Sequence, residues 1–106
     1  MNADFKFQNN TLFIFGIWDK TSICKLKIKD FLALFQDKEA IFDFKNLKEI
    51  DTAGVRFFLA LENDLKNKDI QITKQGLNLH FKTLFELCEK NYQRLKKTKK
   101  SLWARL

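Results

Sequence analysis

The sequence predicts an α/β domain: a mixed β-sheet of four to five strands opened by a β-hairpin, helices packed against the sheet, and a basic helical tail after it. Three observations carry that expectation. Two β-prone runs rich in Phe and Ile are separated by the turn pair Asn9-Asn10. Farther along, short apolar runs alternate with longer segments of helical periodicity. The chain also has no Pro and only 3 Gly in 106 residues, too few breakers for a loop-rich protein, and its 12 Phe supply bulk for a core. A single domain of this size buries roughly two thirds of its unfolded surface, so no metal or disulfide staple is required.

The first strand runs from Asp4 to Gln8, where Phe5 and Phe7 alternate with Lys6 and Gln8, and the second from Thr11 to Trp18. Gly16 inside the second marks a bulge or a close backbone approach. Asp19-Lys20-Thr21-Ser22 is a helix start signal, and Cys24, Ile28, Phe31, Leu32 and Phe35 follow at helical spacing with Lys25, Lys27, Lys29 and Asp30 between them. A strand also fits Cys24, Leu26 and Ile28; length decides for one helix. Ala40 to Phe44 is a short strand, and Ile50 closes the connection to a helix opening at Thr52. That helix turns Val55, Phe58, Leu59 and Leu65 inward, with Leu61 on the flank and Arg56, Glu62, Asn63 and Lys66 toward water. Ile70 and Ile72 belong to another short strand, Gly76 marks a turn, and Leu77 to Cys88 gathers Phe81, Leu84, Phe85 and Cys88 on one helix face.

Charge divides the chain in two. The formal net charge of +7 comes wholly from the end: basic and acidic residues cancel from Met1 to Glu89, whereas Lys90, Arg94, Lys96, Lys97, Lys99, Lys100 and Arg105 meet no acid. Residues 1–89 therefore form the domain and 90–106 a basic tail facing an anionic surface, membrane or nucleic acid. Tyr92, Leu95, Leu102, Trp103 and Leu106 interleave with the basic residues, the composition of an interfacial helix under an anionic leaflet. Aromatic residues are too sparse for a base-stacking platform and nothing resembles a groove-reading helix, so the membrane surface is favoured over nucleic acid. Lys96, Lys97, Lys99, Lys100, Trp103 and Arg105 are the expected contacts. No run approaches the roughly 18 apolar residues of a membrane span.

Motifs of catalysis are missing: there is no glycine-rich phosphate loop, no nucleophile with a patterned His and acid, and no metal-ligand spacing. No cofactor and no metal are expected. Asp43 and Asp51 are a pair of carboxylates that can be picked out, across a strand end. Cys24 and Cys88 form no CxxC pair and follow no apolar export segment, so both read as reduced, buried thiols of a cytoplasmic protein. His80 reads as a partly buried helix residue. A binding or regulatory module is the better expectation than an enzyme.

Phe42-Asp43-Phe44, followed by Leu47, Ile50 and Asp51-Thr52-Ala53-Gly54-Val55, resembles the signature of the STAS domain, the fold of anti-sigma-factor antagonists. Gly16-Ile17-Trp18-Asp19 is similar to that family's Gly-x-Leu-Asp element, with Trp18 in the Leu position, and the element order fits from about Phe5 to Cys88. In the sigma-factor-regulating members, the hydroxyl matching Thr52 is phosphorylated by a partner kinase, and that controls partner binding. The Asp-Thr-Ala-Gly form looks more like the STAS domains of Mla-type phospholipid ABC transporters, which bind the ATP-binding cassette subunit and in some bacteria are fused to the N-terminus of the permease. With the basic tail, this resemblance implies a domain at the cytoplasmic face of the inner membrane, in a chain that continues past Leu106. The alternative it implies is a soluble anti-sigma-factor antagonist controlled at Thr52.

The expected partner-binding or phosphoacceptor residues are thus Thr52, Asp51, Gly54, Arg56 and Phe57. Each has a structural reading beside the functional one. Thr52 suits an N-cap, Asp51 a helix-dipole or turn acid, and Gly54 close packing of the helix start on the sheet. Phe57, adjacent to Phe58 on one helix, is either a flank of the core or a partner-facing aromatic anchor.

Overall fold

Asn9 and Asn10 both take positive φ, 52° and 61°, a geometry that Asn tolerates better than most residues and that a two-residue hairpin turn demands. The computed structural model describes residues 2–90, and in it this turn joins β1 (Ala3–Gln8) to β2 (Thr11–Trp18) in antiparallel register, Gln8 opposite Thr11. β2 then pairs in parallel with β3 (Glu39–Ile50), and β3 in parallel with β4 (Gln71–Gln75), giving one four-stranded mixed sheet in the order β1-β2-β3-β4. Between β2 and β3 the register slips twice, once at Gly16/Ile17, where the glycine announced an irregularity. These slips let β3 follow β2 to its end. β3 therefore runs twelve residues, beyond the short Ala40-to-Phe44 strand expected from the sequence.

Alternation sorts the sheet into a covered and an open face. Leu12, Ile14 and Trp18 of β2 and Ala40, Phe42 and Phe44 of β3 are buried on the covered side. Against them lies α3 (Thr52–Asn67), with residues 79–90, α4, bringing Phe81, Phe85 and Cys88 to the same core. Trp18 sits at the centre, its ring 4.8 Å from Phe58 and 5.9 Å from Phe57, and its indole N–H donates to the Phe15 carbonyl at 2.8 Å. No helix among the described residues is long and apolar enough to cross a membrane.

Four expectations are corrected. The single helix after Asp19 is two short ones, α1 (Lys20–Ile23) and α2 (Ile28–Leu32), because Lys27 is extended. That conformation points both Leu26 and Ile28 at the core while Lys25, Lys27 and Lys29 stay exposed, so local alternation prevails over helical spacing. Leu61 and Glu62 are buried rather than flanking or solvated, since α3 is covered by β4 as well as by β3. Glu62 pairs there with the Lys74 ammonium at 3.2 Å. Cys24 is exposed, with only Cys88 buried, and His80 is exposed, because Phe81 and Phe85 claim the inner face of α4.

Candidate functional site

The turn from β3 into α3 is held by one carboxylate. Asp51 is the N-cap: its backbone is extended, and Oδ1 accepts the Gly54 N–H at 2.9 Å, satisfying a donor that the first helical turn leaves free. Its Oδ2 accepts the Lys20 N–H at 3.0 Å, so the same side chain ties the start of α1 to the start of α3. A second acid repeats the device one strand earlier, at the end of β2. Asp19 caps α1 by accepting the Ser22 N–H at 2.8 Å, and that bond holds the Asp19 carboxyl below the usual carboxylate range. Both caps also place negative charge where the helix dipole favours it.

With Asp51 as the cap, Thr52 is released from that duty. It is the first residue of α3, exposed, and its hydroxyl makes no hydrogen bond among the described residues. This corrects the expectation that Thr52 caps the helix. The physical reason is register: a cap needs extended backbone one residue before the first helical turn, and Asp51 occupies that place. Arg56 stands four residues on and is also exposed, so Thr52 and Arg56 share an outward face.

Gly54 and Phe57 turn the other way. A Cβ on Gly54 would stand 2.0 Å from the Trp18 carbonyl oxygen and 2.7 Å from an Ile50 side-chain carbon, so only glycine lets α3 begin this close to the ends of β2 and β3. Phe57 is 8% exposed and packs on Phe31, ring centroids 5.3 Å apart, as well as on Trp18. Of the two readings of Phe57, the structure gives the core residue and not the partner-facing anchor. The tail residues Lys96, Lys97, Lys99, Lys100, Trp103 and Arg105 lie outside the described residues.

Beside the α3 start opens a cleft of about 560 Å³, within the size range of small-molecule and peptide sites. Ile17, Ile50 and Phe81 supply its apolar lining, and Asp19, Glu49, Asp51, Lys48 and His80 its polar lining. Nothing in the sequence brings His80 and Glu49 to Asp51. The one available signal was the inward stripe Phe81, Phe85, Cys88, which obliges His80 to face outward at the first turn of α4. Asp43, the other acid of the pair picked out by sequence, is not part of this site. It accepts the Lys45 N–H at 2.9 Å and the Gln75 amide at 3.1 Å, fastening β4 to β3. The rest of β3, residues 44–50, separates it from Asp51, on the order of 25 Å. Among the described residues no group of three or more His, Cys, Asp or Glu is placed to hold a metal ion.

No protein-family model and no curated protein matches the sequence. Solved structures do match. The anti-sigma factor antagonist SpoIIAA in its unphosphorylated form superposes with a TM-score of 0.60 at 17% identity, over 89% of this chain and 97% of that one. The phosphorylated form of SpoIIAA, a Bacillus cell fate determinant, gives a TM-score of 0.60 at 18% identity, over 80% of this chain and 81% of that one. The chain has the STAS fold of SpoIIAA.

Proposed function

We propose that this chain is a non-catalytic STAS regulatory domain of a Mla-type lipid ABC transporter, the cytoplasmic N-terminal part of the permease, which binds the ATP-binding cassette subunit through the start of α3. One observation carries the docking role: Asp51 caps α3, which leaves the Thr52 hydroxyl exposed, with no hydrogen bond among the described residues, at the tip of a strand-to-helix turn. Binding residues positioned by a rigid scaffold are the common arrangement at such turns. The Asp51-Thr52-Ala53-Gly54 form and the acid-free basic run from Lys90 support the transporter over other STAS roles. That run suits the cytoplasmic side of a membrane, where Lys and Arg accumulate.

A second reading has its own support. Both SpoIIAA structures are defined by the phosphorylation state of an anti-sigma-factor antagonist. Thr52 is accessible to a kinase, and a phosphate there adds about two negative charges at a helix N-terminus beside Asp51. The experiment that separates the readings is a binding panel with the ATP-binding cassette subunits and the anti-sigma-type serine kinases of the same organism, each purified. Capture of a cassette subunit, without ATP-dependent phosphorylation of Thr52, is the expected result. Phosphorylation of Thr52 by a kinase that also binds the chain overturns the transporter reading in favour of the switch.

A further inference from the structure

β3 outruns its partner on one side. β2 accompanies it to the end, Trp18 pairing with Ile50, whereas β4 pairs only with Glu39 to Asp43. The first N–H beyond β4, that of Lys45, is taken by the Asp43 carboxylate. Gly76 crosses at that point, so close that a Cβ on it would stand 2.6 Å from the Lys45 nitrogen, and the chain then leaves the sheet. From 46 to 50, β3 has β2 along one edge and no strand along the other among the described residues. His80 and Phe81 of α4 line the cleft into which this edge leads, together with Lys48, Glu49 and Ile50 of β3 itself.

An unpaired strand edge is a template for an incoming strand, with main-chain hydrogen bonds giving affinity and alternate side chains giving specificity. The charge at this edge selects the strand. Asp19 and Asp51 are engaged as caps, but Glu49 is exposed and its carboxylate makes no ion pair or hydrogen bond among the described residues. Three carboxylates around the cleft against the single ammonium of Lys48 favour a basic occupant. Opposite charges on neighbouring strands stabilise a pair, and like charges destabilise it.

We infer that the edge of β3 from Asn46 to Ile50 accepts an extended segment of a partner protein as a fifth strand, with a Lys or Arg of that segment beside Glu49 and an apolar residue over Ile50 and Phe81. This rests on the reading of the α3 start as a protein-docking site and says how the partner engages it. The test uses the isotopically labelled full chain and three capped synthetic pentapeptides: Val-Arg-Val-Arg-Val, its Glu-for-Arg counterpart, and the Arg peptide N-methylated at alternate amides. The expected result is that the Arg peptide shifts the backbone amide resonances of residues 46–51 and slows their hydrogen exchange, the other two binding several-fold more weakly. In Glu49→Lys the preference between the Arg and Glu peptides reverses. Equal binding by the N-methylated peptide, or shifts confined to other surfaces, overturns strand addition. If a cassette subunit is nonetheless captured through Thr52, the docking reading stands and only its strand-addition mode falls.

Discussion

At Asp51 one carboxylate closes two chain ends, the Gly54 N–H of α3 and the Lys20 N–H of α1, while the hydroxyl of its neighbour Thr52 makes no hydrogen bond among the described residues. Adjacent residues of similar sequence character thus have opposite duties, and substitutions separate them. Asp51→Ala should lower unfolding free energy by about 1–2 kcal/mol, and Thr52→Ala should change it by less than about 0.5 kcal/mol, both read from urea melts. Gly54→Ala sets a methyl against the Trp18 carbonyl, and the overpacking should cost about 1–3 kcal/mol or more. Glu62 contributes one pH dependence. Burial raises its pKa, and the nearby Lys74 ammonium only partly opposes that. A carboxyl whose folded pKa is raised contributes stability that is fully present below the ordinary glutamate pKa of about 4.3 and is lost as pH rises through the folded value. Glu62→Gln keeps the neutral form at every pH. The stability difference between wild type and Glu62→Gln should therefore change across that window and flatten below it, as denaturation midpoints at a series of pH values will show.

α3 does the packing work at the scale of elements. Phe57 and Phe58 are both buried at adjacent positions because two neighbours flank the helix: Phe58 meets Phe42 and Phe44 of the sheet, and Phe57 meets Phe31 of α2. Phe57→Ala should cost about 3–5 kcal/mol, the range for removing a buried aromatic side chain, and should lower the thermal midpoint far more than Arg56→Ala on the exposed face. Legibility follows the same division. The inward stripe Val55, Phe58, Leu59, Leu65 was readable because one face of a helix has one period. The burial of Leu61 and Glu62 was not, since it depends on β4 arriving alongside from later in the chain. In the segment after Asp19, the alternation of Leu26 and Ile28 with lysines was visible in the sequence, but periodicity over so short a run does not choose between a helix and a break.

The molecule as a whole sets its sheet edge and its helix starts at one end. The hairpin, the mixed sheet and the strand-to-helix turn before Val55 were legible because each has a local chemical signature: the Asn pair, apolar runs alternating with helical segments, the acid and hydroxyl before a helical stripe. The parallel pairing order was not, since strand partners are chosen by tertiary packing. The cleft was not, because its walls come from β2, β3 and α4, which are joined only by tertiary packing. The same holds for β3 running on past β4, a consequence of the Gly76 crossing at Lys45. Docking of a protein partner on the exposed Thr52 face is the step on which the proposed function depends most. The most direct measurement is a calorimetric titration of the purified cassette subunit with wild type and with Thr52→Arg, with thermal melts of both chains alongside. Thr52→Arg should keep the wild-type melting midpoint and lose at least tenfold in affinity, about 1.4 kcal/mol. Equal affinity for the two chains would contradict it.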